Sequence, residues 1–326
     1  MNIAPRLLKE AIALLSASQR PLLISHPRPD GDTVGCALAL HYALQRRGKT
    51  PLLACAHPIP ETMRYLPGAD AFVQEVPTDA AIDLVVAIDM SDLQRTGGLY
   101  QAAWRDQLPL LVIDHHETND GFGDVNIALP EAAATALPLI PVIEGLGVEV
   151  EGDIATALLL GILTDTRGLR TESTTPDVLA AVARLIAAGG DYLTVVQKIL
   201  DAVPYRQMRG WGVALSRLQL EDSMAWTTFP LAEKRALGIE DHDDLDLGNL
   251  VSQVAEAEII ATFLEMHDGT VKVSLRARPG HNVAHIAKTL NGGGHRLAAG
   301  CSVAGPLEAA TTKVLPLVRR ELRDTP

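Results

Sequence analysis

Cysteine is scarce in this chain of 326 residues, which contains three: Cys36, Cys55 and Cys301. Their number is odd, their spacing is wide, and no two are separated by two residues. These features exclude a disulfide framework and a cysteine-based zinc site, and they are typical of a reducing compartment. We therefore expect a cytoplasmic protein.

Basic residues and long apolar runs are also lacking. The 28 lysines and arginines are outnumbered by 40 acidic residues, giving a formal net charge of −12. Long duplex DNA needs the reverse, a broad cationic face. No apolar run reaches the ~18 residues that span a bilayer, and the first 20 residues lack the features of a signal peptide. We expect neither a membrane nor long duplex DNA as partner, which leaves a short anionic ligand.

Aromatic residues make up only 4% of the chain, whereas hydrophobic residues make up 47%, so the cores are expected to be aliphatic. Short apolar runs in the first half predict buried strands at Leu22–Ser25, Leu52–Ala54, Leu84–Ile88 and Leu110–Ile113. Longer runs predict helices at Thr33–Arg47, Ile154–Leu163 and Pro176–Ala188. Alternation of strands and helices is typical of an α/β fold, here a doubly wound, mainly parallel sheet.

The second half follows a different pattern. Strands are predicted at Met224–Phe229, Glu258–Met266, Thr270–Arg276 and Ala298–Val303. Helices are predicted at Asn249–Ala257, at Asn282–Leu290 and from Leu307. This mixture indicates a smaller α+β domain. The predicted organisation is a first domain over 1–190, a helical connector over 191–215 and a second domain over 216–326.

Acidic and histidine side chains follow the buried segments of the first half. They are His26, Asp30 and Asp32 after the first strand, Asp89, the run Asp114-His115-His116, and Asp165 after the helix at 154–163. The carboxyl ends of parallel strands meet at one edge of a sheet, where ligands bind. Singly, the other motifs have an ordinary explanation as a polar turn or a helix cap, whereas Asp114-His115-His116 has no obvious packing role. Their conjunction predicts one shared crevice.

Four or more aspartates in one crevice repel one another strongly, and burial increases the repulsion. Divalent cations resolve this, and the excess of carboxylates over imidazoles favours Mn²⁺ or Mg²⁺. The ligands are too many for one tetrahedral ion but suit two ions that share a carboxylate. Two such ions ~3.5–4 Å apart clamp a phosphoryl group.

A glycine triplet, Gly292-Gly293-Gly294, precedes His295 and Arg296 in the second half. Three glycines oppose folding entropically, so they need a reason. A glycine loop lets main-chain amides approach an anion closely. Together with Arg276, this segment predicts a phosphate pocket, whereas a simple helix end would need a single glycine.

These motifs, in this order, resemble the DHH/DHHA1 phosphoesterase superfamily, and the resemblance covers nearly the whole chain. The length and the Ser274–Gly300 stretch are similar to its compact nanoRNase/pAp-phosphatase branch. The resemblance implies a DHH domain followed by a DHHA1 domain. It also implies two divalent ions, most simply Mn²⁺ with Mg²⁺ or Co²⁺ as alternatives, and often a homodimer.

The resemblance implies roles for the matching residues. His26 and Asp30 would hold the first ion, Asp32, His115 and Asp165 the second, and Asp89 would bridge them. Asp114 would orient a histidine, and His116 would contact the scissile phosphate. The substrate's terminal phosphate or nucleotide would be held by Arg276, Gly293, Gly294 and His295. The family's usual glycine after Thr166 is replaced by Arg167, which leaves the substrate preference open.

The resulting hypothesis is metal-dependent hydrolysis of short oligoribonucleotides or of 3′-phosphoadenosine 5′-phosphate, by attack of a metal-bound hydroxide in a cleft between the domains. Within the enzyme class, a phosphodiesterase for cyclic di-AMP or its linear product and an inorganic pyrophosphatase stay open. The alternatives of another class are a non-catalytic nucleotide sensor and a structural metal protein. The many clustered carboxylates argue against a sensor, and structural metal sites are usually closed by four ligands and rich in cysteine.

Overall fold

The computed structural model describes residues 3–241, 243 and 245–324. The chain divides into two compact units, 1–202 and 203–326, each with its own sheet. The stretch 191–215, predicted as a helical connector, contains the short helix Tyr192–Val195, a π-helical turn at Val196–Leu200 and the helix Tyr205–Ser216.

The first unit is built on a parallel sheet. Its strands are β1 (Pro21–Ser25), β2 (Leu52–Cys55), β3 (Leu84–Ile88), β4 (Leu110–Asp114) and β5 (Val125–Ala128). They lie in the order β2-β1-β3-β4-β5, and every neighbouring pair is parallel. The predicted parallel sheet is confirmed. The sequence analysis missed β5, which is four residues long and lies at the edge of the sheet.

The helices of the first unit are α1 (Pro5–Ala17), α2 (Gly31–Arg46), α3 (Ala136–Gly145), α4 (Asp153–Asp165), α5 (Pro176–Ala187) and α6 (Tyr192–Val195). Leu23 and Val86, on one face of the sheet, pack into a core with these helices. Leu22 and Val85, on the opposite face, lie under loops and the 3₁₀ segments Leu93–Thr96 and Ala102–Trp104. Loops and 3₁₀ turns thus form the second layer.

Helix α3 was not predicted, because prolines at 138 and 141 interrupt its sequence. Pro138 lies in the first turn, where its missing N–H is not needed. Pro141 lies inside the helix, and buried neighbours such as Leu139 and Val142 hold the segment in place. Tertiary packing therefore overrides local preference here.

Helices α2 and α4 pack closely against each other through glycines. A Cβ atom on Gly35 would lie 2.2 Å from the carbonyl oxygen of Ala157. A Cβ atom on Gly161 would lie 2.3 Å from Oδ1 of Asp32. Glycine at these positions brings the two helices within backbone contact and leaves room for the Asp32 carboxylate between them.

The second unit contains a mixed sheet of six strands: β6 (Gln219–Glu221), β7 (Met224–Phe229), β8 (Ile259–Glu265), β9 (Thr270–Ala277), β10 (Gly293–His295) and β11 (Ala298–Ala304). The order is β10-β11-β9-β8-β7-β6, and β7–β8 is its one parallel pair among the described residues. The helices are α7 (Tyr205–Ser216), α8 (Leu231–Ala236), α9 (Leu247–Val251), α10 (Val283–Thr289) and α11 (Leu307–Asp324).

The helix predicted at Asn249–Ala257 is wrong in both bounds, since α9 covers Leu247–Val251. The Arg278 guanidinium donates hydrogen bonds to the carbonyl oxygens of Val254, Ala255 and Ala257. The arginine thus holds the segment between α9 and β8 through its main-chain carbonyl groups.

Among the described residues, no single helix has both the length and the apolarity to cross a membrane. The helical segments Pro176–Ala187 and Tyr192–Leu200, which meet at a 117° bend, satisfy that length and composition only when taken together.

Candidate functional site

The carboxyl ends of β1, β3 and β4 are adjacent in the sheet, and the polar motifs follow these ends. His26 comes directly after β1, Asp89 directly after β3, and Asp114 is the last residue of β4. Asp30 caps α2, because its Oδ1 accepts hydrogen bonds from the amides of Asp32 and Thr33 at 3.1 and 3.2 Å. Asp165 is the last residue of α4.

Three overlapping groups of donor atoms result, each with its atoms within 4.8 Å of one another. The groups are His26–Asp30–Asp89, Asp32–His115–Asp165 and Asp89–His115–His116. Asp89 and His115 each belong to two groups. All of the ligands expected from the sequence therefore lie together, and so does His116, which was expected to contact substrate.

Asp89 occupies the centre of this arrangement. Its Oδ2 lies 3.5 Å from Nε2 of His26, and its Oδ1 lies 3.6 Å from Nε2 of His115. Thr135 donates its hydroxyl to the same Oδ1 at 2.8 Å. The backbone of Asp89 has φ 60°, a left-handed conformation that is strained for a residue with a side chain. Strain at such a position is typical of a functional site.

Asp32 is completely buried between α2, α3 and α4. Its carboxylate accepts hydrogen bonds from the amides of Thr135 and Ala136, where α3 begins, and from the Cys36 thiol. Burial and the nearby Asp89 carboxylate hold the pKa of Asp32 well above its usual range. The positive end of the α3 dipole partly offsets this repulsion.

His115 and His116 are each oriented by a hydrogen bond at Nδ1. Nδ1 of His115 lies 3.1 Å from the carbonyl oxygen of Ala132. A carbonyl only accepts, so Nδ1 carries the proton and Nε2 is turned towards Asp165, at 3.1 Å. Nδ1 of His116 donates to Oδ1 of Asp114 at 2.7 Å. This tautomer leaves Nε2 of each histidine for a ligand.

The charges of the site are not balanced by the protein alone. Burial lowers the pKa of His26, but contacts with Asp30 and Asp89 outweigh it and raise that pKa to about 9. His115 behaves likewise, since Asp165 and Asp32 outweigh burial and raise its pKa to about 10. Burial raises the pKa of Asp165 to about 6. In the protein alone, protonated imidazoles therefore neutralise the carboxylates of the site. Bound divalent cations would take over that neutralisation.

The donor set fits two divalent ions. The groups around Asp89 and around Asp32 supply mixed imidazole and carboxylate ligands, which suit Mn²⁺ and related ions. Shared membership of Asp89 in two groups suits a carboxylate that bridges neighbouring ions. The chain therefore carries acidic and histidine clusters suited to metal binding.

Sequence reasoning missed the residues that support these ligands. Thr135 and the amide of Ala136 belong to the unpredicted α3. Asn119 donates to Oδ2 of Asp114 at 2.7 Å, and Arg95 places Nη1 3.3 Å from Nε2 of His116. Asn119 lies three residues after His116 and Arg95 six after Asp89, but neither spacing by itself signals a function.

The second unit has a cavity of about 360 Å³ on one face of its sheet. Lys272, Ser274 and Arg276 line it from alternate positions of β9, while Val273 and Leu275 face the core. Gly293 and Gly294 also line it. Lys272 and Ser274 were not predicted. The hollow combines the cationic side chains of Lys272 and Arg276, which suit an anionic ligand, with the acidic residues Asp243 and Asp246.

The three glycines of the triplet differ in why, or whether, glycine is needed at their positions. A Cβ atom on Gly292 would lie 2.2 Å from the carbonyl oxygen of Gly300, and Gly294 has φ 134°. A Cβ atom on Gly293 would meet nothing within 4 Å. Gly293 is therefore dispensable for packing, and its missing side chain leaves room in the cavity.

His295 is exposed at the end of β10 and does not line the cavity wall with Gly293 and Gly294. Arg296, which the sequence analysis grouped with the pocket, donates hydrogen bonds to the carbonyl oxygens of Gly280 and His281. Its guanidinium therefore supports the turn before α10.

Comparison with known proteins agrees with this architecture. Residues 21–162 match the model of the DHH family, N-terminal domain, and residues 236–324 match the DHHA1 domain. The chain is 35% identical to the bifunctional oligoribonuclease and PAP phosphatase NrnA of Thermus thermophilus, over 95% of this chain and 92% of that protein.

Two further likenesses are broader. The chain is 27% identical to the cyclic-di-AMP phosphodiesterase GdpP of Geobacillus thermodenitrificans, covering 90% of this chain but 46% of that protein. An exopolyphosphatase-related protein from Bacteroides fragilis superposes with a TM-score of 0.86 at 21% identity, over 99% of this chain and 97% of that one. The latter shows the fold. The chain belongs to the DHH family of phosphoesterases, with a DHHA1 domain.

Proposed function

We propose that this DHH-family chain hydrolyses phosphate esters of short oligoribonucleotides and of nucleotide bisphosphates such as 3′-phosphoadenosine 5′-phosphate, using two divalent ions. The observation that carries the proposal is the set of three overlapping donor groups that share Asp89 and His115. The likeness to the Thermus thermophilus oligoribonuclease and PAP phosphatase, over nearly the full length of both chains, supports the substrate class.

The proposed ligands follow the geometry. His26 and Asp30 would hold one ion, Asp32, His115 and Asp165 would hold the other, and Asp89, which belongs to two of the donor groups, would serve as a shared ligand. When bound, the two ions supply Lewis-acid stabilisation of the phosphoryl oxygens and lower the pKa of coordinated water. We propose Mn²⁺ as the ion because carboxylates outnumber imidazoles, with Mg²⁺ and Co²⁺ as alternatives.

His116 and Asp114 are proposed to act on the reacting phosphate. Burial raises the pKa of Asp114, but hydrogen bonds from His116 and Asn119 outweigh it and lower that pKa. Asp114 therefore stays ionised and keeps the proton on Nδ1 of His116. Nε2 accepts a hydrogen bond from Arg95 in this structure. After the ring takes up a second proton from solvent, Nε2 is proposed to donate that proton to the leaving oxygen or to hydrogen-bond a phosphoryl oxygen.

The second unit is proposed to hold the terminal phosphate or nucleotide. Arg276 lines the cavity and carries a fixed positive charge, and the open space beside Gly293 admits a ligand close to the main chain. His295, exposed on the adjoining edge strand, is proposed to contact the same ligand.

We also propose a cytoplasmic location and a homodimer. All three cysteines are free and buried, which suits a reducing compartment. The homodimer rests on the resemblance to compact relatives.

The first test is product analysis with purified protein and Mn²⁺. Three substrates are compared: a 5′-phosphorylated RNA dinucleotide, 3′-phosphoadenosine 5′-phosphate, and cyclic di-AMP, which is included because of the likeness to the cyclic-di-AMP phosphodiesterase. Release of mononucleotide from the first or AMP from the second supports the proposal. Turnover of cyclic di-AMP alone replaces it, and absence of turnover with two ions bound refutes it.

A further inference from the structure

The second ring nitrogen of His116 has an arginine partner whose role is not explained by metal binding. Nη1 of Arg95 lies 3.3 Å from Nε2 of His116. A guanidinium only donates and does not lose its proton. Nδ1 of His116 already carries the proton that it donates to Asp114, so Nε2 of the neutral ring accepts from Arg95.

The backbone of Arg95 is held firmly in place. It belongs to the 3₁₀ segment Leu93–Thr96, which begins where Asp92 accepts hydrogen bonds from the amides of Gln94 and Arg95 at 2.9 and 3.2 Å. The next residue, Thr96, is buried and donates its hydroxyl to the carbonyl oxygen of Leu93 at 2.8 Å. The side chain therefore extends from a rigid base six residues after Asp89.

The electrostatic setting of Arg95 is unusual. It lies beside a site with five carboxylates, yet within the described part of the chain no carboxylate forms an ion pair with it. Its side chain is exposed, and its hydrogen-bonding partner among the described residues is an imidazole nitrogen. A guanidinium has five donors, so among the described residues most of them have no protein acceptor and can meet an anion.

We propose that Arg95 is a catalytic residue that binds a non-bridging oxygen of the scissile phosphate next to His116. The inference rests on the proposed function and adds a substrate contact to it. A planar guanidinium matches the geometry of two phosphoryl oxygens, and it stabilises the charge that develops there in the transition state. In the absence of substrate, its hydrogen bond to Nε2 orients the ring of His116.

The experiment compares Arg95→Gln and Arg95→Lys with a matched control, Arg47→Gln. Arg47 is an exposed arginine at the far end of α2, roughly 24 Å from the Asp30 end at 1.5 Å per residue. Three quantities are measured: bound Mn²⁺ per chain, kcat and KM for the RNA dinucleotide, and binding of inorganic phosphate. The phosphate probe is followed by broadening of its ³¹P resonance, which reports only on phosphate close to bound Mn²⁺.

For Arg95→Gln we expect unchanged Mn²⁺ content, a loss in kcat of about 10²- to 10³-fold, and a weakening of phosphate binding near Mn²⁺ of about tenfold or more. Arg95→Lys should recover part of the phosphate binding but little of kcat, because lysine keeps the charge and loses the planar fork. Arg47→Gln should match the unmodified protein in all three measurements.

Two results would overturn the inference. Unchanged phosphate binding and kcat in Arg95→Gln would remove Arg95 from the reaction, and loss of Mn²⁺ would place it among the supports of the ligands. Failure of the proposed function looks different. The unmodified protein would then turn over none of the nucleotide substrates, while the phosphate measurement would still decide whether Arg95 binds an anion.

Discussion

Replacing Gly161 with alanine tests whether the space beside Gly161 sets the position of the Asp32 carboxylate. The added Cβ would lie 2.3 Å from Oδ1 of Asp32 and 3.0 Å from Cβ of Ala136. An ordinary contact needs about 3.4 Å or more, so the carboxylate must shift by about 1 Å. Its hydrogen bonds with Thr135, Ala136 and Cys36 oppose the shift.

Two effects are expected from Gly161→Ala. Overpacking and the loss of a buried hydrogen bond should lower the free energy of unfolding by about 2–4 kcal/mol. Metal ligands must lie within about 0.2 Å of their ideal distance, so the ion held by Asp32, His115 and Asp165 should bind at least tenfold more weakly. Urea unfolding in EDTA measures the first effect, and calorimetric titration with Mn²⁺ measures the second.

Gly35→Ala is the matched control, because its Cβ would lie 2.2 Å from the carbonyl oxygen of Ala157 and not against a ligand. It should destabilise the protein to a similar extent while affecting Mn²⁺ binding much less. If Gly161→Ala loses stability but binds both ions as tightly as the unmodified protein, the carboxylate of Asp32 does not need this position. The proposed link between the space beside Gly161 and metal binding would then be refuted.

Three further predictions concern charge and ligand binding. Asp89→Ala should remove both ions and nearly all turnover, and elemental analysis showing retained metal with retained activity would contradict the bridging role. Without metal, the raised pKa values of His26 and His115 add stability that is fully present below about pH 6.5 and is lost as the pH rises through 9 and 10. Urea unfolding in EDTA should therefore show that the free energy of unfolding falls by on the order of 3 kcal/mol from His26 alone. A free energy of unfolding that stays constant over this pH range would refute those shifts. Arg276→Ala should raise KM about tenfold or more and leave metal content unchanged, which kinetics and elemental analysis can check together.

Much of the first unit can be predicted from its sequence because the buried strands are short, continuous apolar runs. β1, β3 and β4 were predicted within a residue or two, and the polar residues directly after them identified the edge of the sheet that carries the site. This works because parallel strands place their carboxyl ends together, whatever the details of the helices. A rule of topology thus brings His26, Asp89 and Asp114 near one another from sequence alone.

The supports of the site could not be predicted in the same way. Thr135 reaches Asp89 only because α3 forms despite Pro138 and Pro141, and that helix depends on burial that is not visible in a local pattern. Arg95 and Asn119 lie in irregular segments, where no periodicity fixes the direction of a side chain. Their partners, His116 and Asp114, are 21 and 5 residues away along the chain.

The departure at Arg167 has a backbone explanation. Arg167 has φ 49°, in the left-handed region that favours glycine, which accounts for the glycine expected from the family pattern. Gly168 and Leu169 also have positive φ, so three consecutive residues of this turn lie in the left-handed region.

In the candidate metal site, the positions of the carboxylates and the balance of their charges are set by different features. Backbone geometry fixes where the carboxylates lie: Asp30 caps a helix, Asp89 takes a left-handed turn, and Asp32 accepts hydrogen bonds from the start of another helix. None of these arrangements removes the negative charge of the site. Burial, together with the neighbouring carboxylate of Asp89, raises the pKa of Asp165, and contacts with carboxylates raise the pKa of His26 and His115 despite their burial. Folding thus assembles a site whose electrostatic balance at neutral pH requires either bound protons or bound cations, and exchange of one for the other couples metal binding to pH.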